Sequence, residues 1–473
     1  MHTKRQKVAG WGNYPSVEAQ VSCPRQVSEL QQSTLHTEVT TRGLGRSYGD
    51  QSIDTNALIA DTRQFHHFLS FDEEQGLLVC QAGVSLADII TTFAPRGWFP
   101  IVNPGTKYVT VGGAIANDIH GKGHHRDGSF VRCVQSLTIM VADGSVLTAS
   151  PEEHEDLFWA CFGGLGLLGV ILTATLQLER IETTFYVQKA IRVKGLDEMI
   201  EALQAYDEHY RYSVAWINPQ ARGKKLGEGV LTVGNQARYR DLTSTLQREP
   251  LKLHYPPRLT VPFFLPNFSL NTLSLSVLNQ LIYRMQSNGN PISHYDKFLF
   301  PLDFVHYWNR GYGKRGFIQY QFVVPTEAGA AIRKILETIA TGKCLPFLNV
   351  LKKMGLGLDT PSLNKSSSGI SEPPLPATLS FPREGFTFAI DFPVTRHLHA
   401  LTKKLDRLVV EAGGRIYLGK DAMLDQDTFR QMYPHYQRWL AVKKRYDPEN
   451  RFTSSIARRL GLLVSSKGKS VDS

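Results

Sequence analysis

Short hydrophobic runs, bounded by glycine and polar turns, fill the first 185 residues. Residues 57–61, 76–80 and 137–142 are apolar and β-branched, and each predicts a strand. Residues 84–94 carry apolar positions at helical spacing, with Ser85 as the N-cap. Residues 142–145, Ala-Asp-Gly-Ser, signal a hairpin turn. Residues 169–178 are dense in Ile, Val, Leu and Thr and predict a further strand.

From about residue 186 the pattern changes. Helices are predicted over 196–209 and 327–341, and strands over 317–324 and 386–392. The Ser-, Pro- and Gly-bearing stretch 359–376 reads as a flexible surface loop. A last strand is predicted over 414–418, then helices to about 461, then ten or so disordered residues. No internal repeat is found.

The chain has 473 residues, enough for two domains or a large two-lobed enzyme. Its hydrophobic (42%) and charged (20%) fractions are those of a soluble globular protein. A net charge of +10 suits anionic ligands such as nucleotides, phosphorylated substrates or an acidic membrane surface. Nucleic acid is not indicated, because the basic residues are dispersed. The one local cluster, Lys443-Lys-Arg445, reads as a solvated helix face. Five scattered cysteines without a CxxC argue against a disulfide scaffold and a thiolate metal site. The basic N-terminus lacks the apolar stretch of a signal peptide.

Residues 259–283 contain no charge. A membrane span needs roughly 20 mostly apolar residues, and this stretch is too polar and too broken by Pro262 and Pro266. It reads as a long loop with a short helix, or as an apolar flap that meets lipid or a lipid-linked substrate.

Gly164-Leu-Gly-Leu-Leu-Gly169 spells a dinucleotide fingerprint, but in the wrong order. The fingerprint needs strand, glycines, then helix, so that a helix N-terminus meets the phosphates. Here a helical pattern, 153–162, precedes the glycines and a strand follows, so they predict a tight turn. The stronger signal lies upstream. Arg42-Gly-Leu-Gly-Arg-Ser-Tyr48 and Pro104-Gly-Thr106 with Thr110-Val-Gly-Gly113 are two glycine-rich turns. Such turns let successive N–H groups converge on a phosphate, and Arg46 and Ser47 add side-chain donors. His120, Lys122, His124 and His125, with Asp118 and Asp127, invite a metal reading. Gly121 and Gly123 break any helix that would align ligands, so no metal is expected.

The two turns, followed by Ala114-Ile-Ala-Asn-Asp-Ile-His120-Gly121, resemble the flavoenzyme family of vanillyl-alcohol oxidase and p-cresol methylhydroxylase. The likeness extends to the branch of oxidase components of decaprenylphosphoryl-β-D-ribose 2′-epimerase. It runs through Gly10-Trp-Gly12, Trp308-Asn-Arg-Gly-Tyr312, Gln319-Tyr-Gln-Phe322, Phe347-Leu-Asn-Val350, Tyr417-Leu-Gly-Lys-Asp421, and Asp447-Pro448 with Phe452, nearly the whole chain.

The resemblance implies an α+β fold. A two-part FAD-binding domain of the p-cresol methylhydroxylase type would comprise 1–185 and the returning segment 415–473. An α+β substrate domain with an antiparallel sheet would occupy 186–414. FAD contacts implied by the family fall on Arg42, Gly43, Leu44, Gly45, Arg46 and Ser47, then Pro104, Gly105, Thr106, Val109, Thr110, Gly112 and Gly113. They continue over Ala116, Asn117, Ile119, His120 and Gly121, with Val170 and Tyr417. Many relatives tether FAD through a histidine in a Gly-His-Ser setting. Gly45-Arg46-Ser47 stands there, so FAD is expected to be non-covalent, with Arg46 offering charge to the pyrophosphate.

Lys420, Tyr48 and His120 are the implied catalytic residues. Lys420 either stabilises charge developing on the reduced flavin or, desolvated and neutral, takes the hydroxyl proton. Lys122, Trp216, Tyr312, Gln319, Gln321, Asn349, Lys352 and Ala389, with Lys420, would meet the substrate. Two positions depart from the branch: Ala389 stands where a cysteine occurs, and Thr387 where an asparagine occurs. Thiol-directed covalent inhibitors should therefore fail.

The implied reaction is oxidation of a secondary sugar hydroxyl, the 2′-hydroxyl of a polyprenyl-phosphoryl-β-D-ribose, to a keto sugar. A short-chain reductase would complete the epimerisation. The expected setting is cytoplasmic, at the inner membrane face. Two rivals are an oxygen-using sugar-lactone or alditol oxidase and a non-catalytic flavin-binding protein of the membrane surface.

Overall fold

The computed structural model describes residues 3–253, 259–266, 269, 271, 276, 292–358 and 376–464. The loop expected over 359–376 therefore lies outside the described residues except for Pro376. So do the terminal tail and much of the uncharged 259–283 segment.

The chain opens with a four-stranded sheet of β1 (Thr3–Ala9), β2 (Ser16–Ser22), β3 (Val39–Arg42) and β4 (Leu58–Asp61), in the order β1-β2-β4-β3. β1 and β2 form an antiparallel pair, whereas β4 runs parallel to both β2 and β3. The first glycine-rich turn leaves the carboxyl end of β3, where a parallel strand presents its loop.

A second sheet holds β5 (Phe68–Asp72), β6 (Leu77–Gln81), β7 (Trp98–Pro100), β8 (Val134–Met140), β9 (Val146–Ala149) and β10 (Val170–Arg180). Its order is β5-β6-β10-β8-β9, with β7 also on β10. β10 alternates buried and half-buried positions, the period of a strand with two unlike faces. The expected hairpin joins β8 to β9, closed by Val141 N–H to Ser145 O at 3.0 Å. The predicted helix forms over Leu86–Phe93. Ser85 and Asp88 cap it reciprocally, satisfying two donors that a helix start leaves free.

Glycines 164–169 form the turn that the residue order predicts. A helix, Glu155–Cys161, enters and β10 leaves. Gly163, Leu165 and Gly166 adopt left-handed φ of +77°, +56° and +74°. The turn is pinned by Lys443, which corrects the reading of Lys443–Arg445 as a solvated face. The Lys443 side chain is fully buried in the helix Tyr436–Tyr446. Its ammonium donates to Leu167 O and Asp447 Oδ2 at 2.7 Å and to Phe452 O at 2.9 Å. Three acceptors replace the water it loses. Lys444 and Arg445 are exposed.

The third sheet has eight strands. They are drawn from β11 (Phe185–Val193), β12 (Tyr212–Ile217), β13 (Gly229–Gln236), β15 (Ile292–His294), β17 (Phe317–Val324), β18 (Asn349–Met354), β19 (Gly385–Pro393) and β20 (Arg415–Ile416). Their order is β15-β11-β13-β12-β18-β19-β17-β20, antiparallel throughout. Two further strands, β14 (Leu259–Thr260) and β16 (Val305–His306), pair in parallel. Helices Leu196–Asp207, Gly329–Thr341 and Leu398–Glu411 bury their apolar stripes against the large sheet. The architecture is α+β, as expected.

The expected 414–418 strand shortens to β20. Tyr417 then donates to Gln321 O, and a turn closed by Lys420 N–H to Tyr417 O swings residue 420 inward. The C-terminal segment thus begins in the large sheet. It ends on the first sheet, where Phe452 bridges Val39 and Ser455 donates to Ile53 O.

Candidate active site

One cavity of about 810 Å³ lies between the glycine-rich turns and the open face of the large sheet. That is toward the upper end of small-molecule sites, roughly 300–1,000 Å³. Its walls are built by different means.

The first wall is backbone. Within 43–47, no N–H donates to a protein acceptor among the described residues. Gly45 sits at φ +64°, where a side chain would also strike the Arg42 guanidinium. The second glycine-rich segment starts the helix Val111–Ala116, whose Thr110 hydroxyl accepts from Gly113 N–H at 3.2 Å. Gly112 donates to Ala82 O at 2.8 Å, which fastens the segment to the second sheet. A Cβ on Gly105 would meet nothing within 4 Å, so its backbone faces open cavity. Consecutive free N–H groups beside exposed glycine backbone are what a dinucleotide pyrophosphate needs. This donor set fits FAD.

All the residues expected to hold the cofactor line this cavity. Two arginines have local partners as well. Arg42 donates to Ala9 O, Ser52 O and Ser52 Oγ, bracing the turn. The Arg46 guanidinium lies 3.9 Å over the Trp11 ring and 5.5 Å from the Tyr108 ring.

The second wall is side chains at alternate positions of the sheet. Gln188, Ala190, Thr232, Val214, Trp216, Val350, Lys352, Ala389, Gln319 and Gln321 all face in. Val350, Ala389 and Gln321 are register partners across β18, β19 and β17. Two expected substrate residues do not line the cavity. Asn349 is out of phase with Leu348, Val350 and Lys352, so the pleat turns it to the other face. Tyr312 stacks on Phe317 at 3.9 Å and donates its hydroxyl to Asp391 Oδ2 at 3.0 Å.

The remaining predicted residues meet where the walls join. Lys420 donates to Gln319 Oε1 and lies 5.4 Å from the Tyr48 ring. Burial lowers its proton affinity, nearby Lys352 lowers it further, and Asp391 opposes both. Burial likewise pushes Lys122 down to about 7 and Lys352 down to about 8. Lys122 donates to Phe298 O, and Lys352 to Gly121 O at 3.4 Å. Burial holds the Tyr48 hydroxyl well above its ordinary range, hence protonated.

His120 is held neutral by burial, reinforced by Lys352, His124 and Lys420. Its tautomer follows from its neighbours. Thr387 donates to Phe322 O at 2.9 Å, so its oxygen accepts Gln321 Nε2 at 3.0 Å. The other amide proton of Gln321 then points at His120 Nε2, 2.9 Å away. His120 therefore carries its proton on Nδ1, which is buried without a protein partner among the described residues. Gln321 Oε1 is likewise unpartnered. The neighbouring histidines serve the backbone: His124 Nδ1 accepts Gly355 N–H and His125 Nε2 meets Tyr210 O.

Sequence reasoning missed the bend Lys297–Leu302, which lines one side of the cavity, and the buried Asp391 that accepts from Gln319 in the sheet. The Gln188, Ala190, Val214 and Thr232 wall was legible only as strand alternation, once the strands were known to share a sheet.

Comparison with known proteins gives the family. A family model described as an FAD binding domain matches residues 16–150, and one described as D-arabinono-1,4-lactone oxidase matches residues 387–460. The chain is 37% identical over 471 residues to decaprenylphosphoryl-β-D-ribose oxidase of Mycolicibacterium smegmatis, covering 98% of each. It is 34% identical over 183 residues to L-gulonolactone oxidase of Mus musculus, covering 37% of this chain and 39% of that one. The chain therefore belongs to the vanillyl-alcohol oxidase/p-cresol methylhydroxylase-type FAD family, in the branch of decaprenylphosphoryl-β-D-ribose oxidase, and is an FAD-dependent oxidoreductase acting on CH–OH groups.

Proposed function

We propose that this enzyme oxidises the 2′-hydroxyl of a polyprenyl-phosphoryl-β-D-ribose to the keto sugar, the first half of an epimerisation. The observation that carries the reading is the charge of the cavity. Lys122 and Lys352 converge there beside Lys420, and among the described residues neither of these two amines donates to a carboxylate. Buried cations so placed call for an anionic ligand such as a phosphodiester.

FAD, when bound, supplies the two-electron oxidant for an alcohol carbon. The protein's part is positioning and proton handling. Lys420, whose burial favours the neutral amine, takes the hydroxyl proton. The Nδ1–H of His120 holds an acceptor on the reacting side. Lys122 and Lys352 hold the phosphate, and Trp216, Val350 and Ala389 give the sugar an apolar wall. With Arg46 in place of a tethering histidine, FAD is held without a covalent bond. Acid precipitation of the purified protein should release the yellow colour to the supernatant.

A lipid-facing mouth is supported by exposed apolar residues beside the cavity: Leu259, Phe263, Leu302, Phe304 and Tyr307. Pro301 and Leu302 connect them to its lining. Among the described residues no helix is long and apolar enough to cross a membrane. The exposed apolar residues at the mouth support a cytoplasmic enzyme that docks on the inner membrane face, and its keto product calls for a short-chain reductase to complete the epimerisation.

Anaerobic mixing with polyprenyl-phosphoryl-ribose should bleach the bound FAD. The match of residues 387–460 to a lactone-oxidase model favours one alternative, an oxygen-using sugar-lactone oxidase. Brisk peroxide release with simple lactones or alditols, without bleaching by the lipid-linked sugar, would establish that alternative.

A further inference from the structure

Asp391 is a fully buried carboxylate, absent from the cavity lining, that the reading above does not use. It is the register partner of Gln319 across β19 and β17. Its Oδ1 accepts Gln319 Nε2 at 2.6 Å, and its Oδ2 accepts the Tyr312 hydroxyl at 3.0 Å. The carbonyl end of the same Gln319 amide accepts from Lys420 Nζ.

This arrangement has one consistent polarity. An ionised carboxylate only accepts hydrogen bonds. It therefore draws the Gln319 NH₂ toward itself and turns the carbonyl toward Lys420. The amide becomes an oriented dipole between a buried negative charge and a buried amine, in surroundings where such interactions are poorly screened. Tyr312 stacks on Phe317 and anchors the far end.

We infer that Asp391 is a positioning residue that sets the orientation and proton affinity of the Lys420 amine through the Gln319 amide, without itself touching substrate or cofactor. The other groups facing Lys420 do not duplicate it. Lys352 on β18 and His120 beyond the second glycine-rich segment offer no negative charge, and Tyr48 remains a protonated phenol. Asp421 follows Lys420 in the chain, but its carboxylate is held by Arg459 at 2.8 Å and by the N–H groups of Met423 and Leu424. Burial raises the proton affinity of Asp391, and its bonds to Gln319 and Tyr312, with the charge of Lys420, oppose that rise.

Asp391→Asn acts twice in one direction. It removes the charge that favours the ammonium. It also lets the Gln319 amide rotate and offer N–H to Lys420, which only a neutral amine can accept. Lys420 should therefore lose its proton at lower pH. Gln319→Leu cuts the link and should shift Lys420 the same way, while Asp391→Glu, which keeps the charge, should shift it less.

The test is trace acetylation of the FAD-loaded full-length protein across the neutral to alkaline range. Mass spectrometry compares the Lys420 peptide with peptides carrying surface lysines. In Asp391→Asn the Lys420 titration should move acidward by about one unit, a tenfold change in proton affinity, with surface lysines unmoved. An unmoved Lys420 titration in folded, FAD-bound Asp391→Asn overturns the inference. If that variant does not fold, an unmoved titration in Gln319→Leu overturns it equally.

The pH profile of kcat/KM is read in parallel, because the consequence for turnover rests on Lys420 being the amine that meets the substrate hydroxyl. A parallel acidward shift of its acid limb supports both claims. A shifted titration with an unmoved kinetic limb sustains the role of Asp391 and sinks the role of Lys420 in the reaction.

Discussion

The two walls of the cavity solve the same problem, presenting donors to an anionic ligand, in opposite ways. The glycine-rich wall uses backbone N–H groups and omits side chains, so its chemistry is local in sequence. The sheet wall uses side chains at alternate positions of β11, β13, β12, β18, β19 and β17, gathered from residues 188 to 389. The first should be intolerant of added carbon and indifferent to side-chain chemistry. The second should tolerate changes of backbone propensity and respond to volume and charge. Lys420 sits where they meet, carried there by a turn rather than by either wall.

The comparison can be broken at several points. The largest effect is expected at the junction. Lys420→Met should lower kcat/KM by about 10²–10⁴-fold, the usual loss of a general base, while the visible spectrum shows FAD retained. Loss of FAD in that variant would mean that the lysine is part of the cofactor wall.

On the sheet wall, Ala389→Leu intrudes into the sugar space. Overpacking costs about 1–3 kcal/mol, so KM should rise roughly 10–100-fold with FAD affinity unchanged. On the glycine wall, Gly105→Val places carbon where the backbone meets open cavity. FAD affinity should fall about tenfold, ~1.4 kcal/mol, measured by fluorescence titration, while the melting temperature of the apoprotein stays put. A fall in that melting temperature would show that Gly105 serves the fold instead.

A smaller effect concerns protons. Lys122 and Lys352, pushed down to about 7 and about 8, are partly neutral just above neutral pH. A phosphate-bearing ligand favours their charged forms. Binding should therefore take up protons, and affinity should fall as pH rises through those values. Calorimetry in buffers of different ionisation heat measures the uptake, and proton release would contradict the assignment of these lysines. The smallest effect belongs to Asn349. Both polar atoms of its buried side chain lack partners among the described residues. Asn349→Leu should be near neutral in stability and activity, because no hydrogen bond is lost. A large rise in KM would return it to the substrate wall.

Much of this was legible in the residues alone. Ser85 marked a helix start, Ala142–Ser145 marked a hairpin, and the order of helix, glycines and strand around Gly164–Gly169 ruled out a dinucleotide fingerprint. Each is a local signal, set by backbone sterics and neighbouring hydrogen bonds within a few residues. Tyr312 and Asn349 were misplaced for the converse reason. Motif membership does not give the phase of a pleated strand, nor which of two neighbours a hydroxyl will find. Lys443 was misjudged because its three acceptors come from Leu167, Asp447 and Phe452, two of them backbone carbonyls with no signature.

By itself, then, the sequence determined two phosphate-cradling turns and a set of local helices, strands and hairpins, since glycine geometry, strand period and residue charge are properties of the chain; the α+β flavoenzyme with its lysine-bearing site came from the resemblance of its motifs to a known family. Tertiary structure alone decided which faces of the strands look inward and that three lysines share one desolvated space. It also decided that the Asp391 charge reaches Lys420 through a single amide. These depend on sheet register and on the exclusion of water, neither of which exists until segments hundreds of residues apart are packed together.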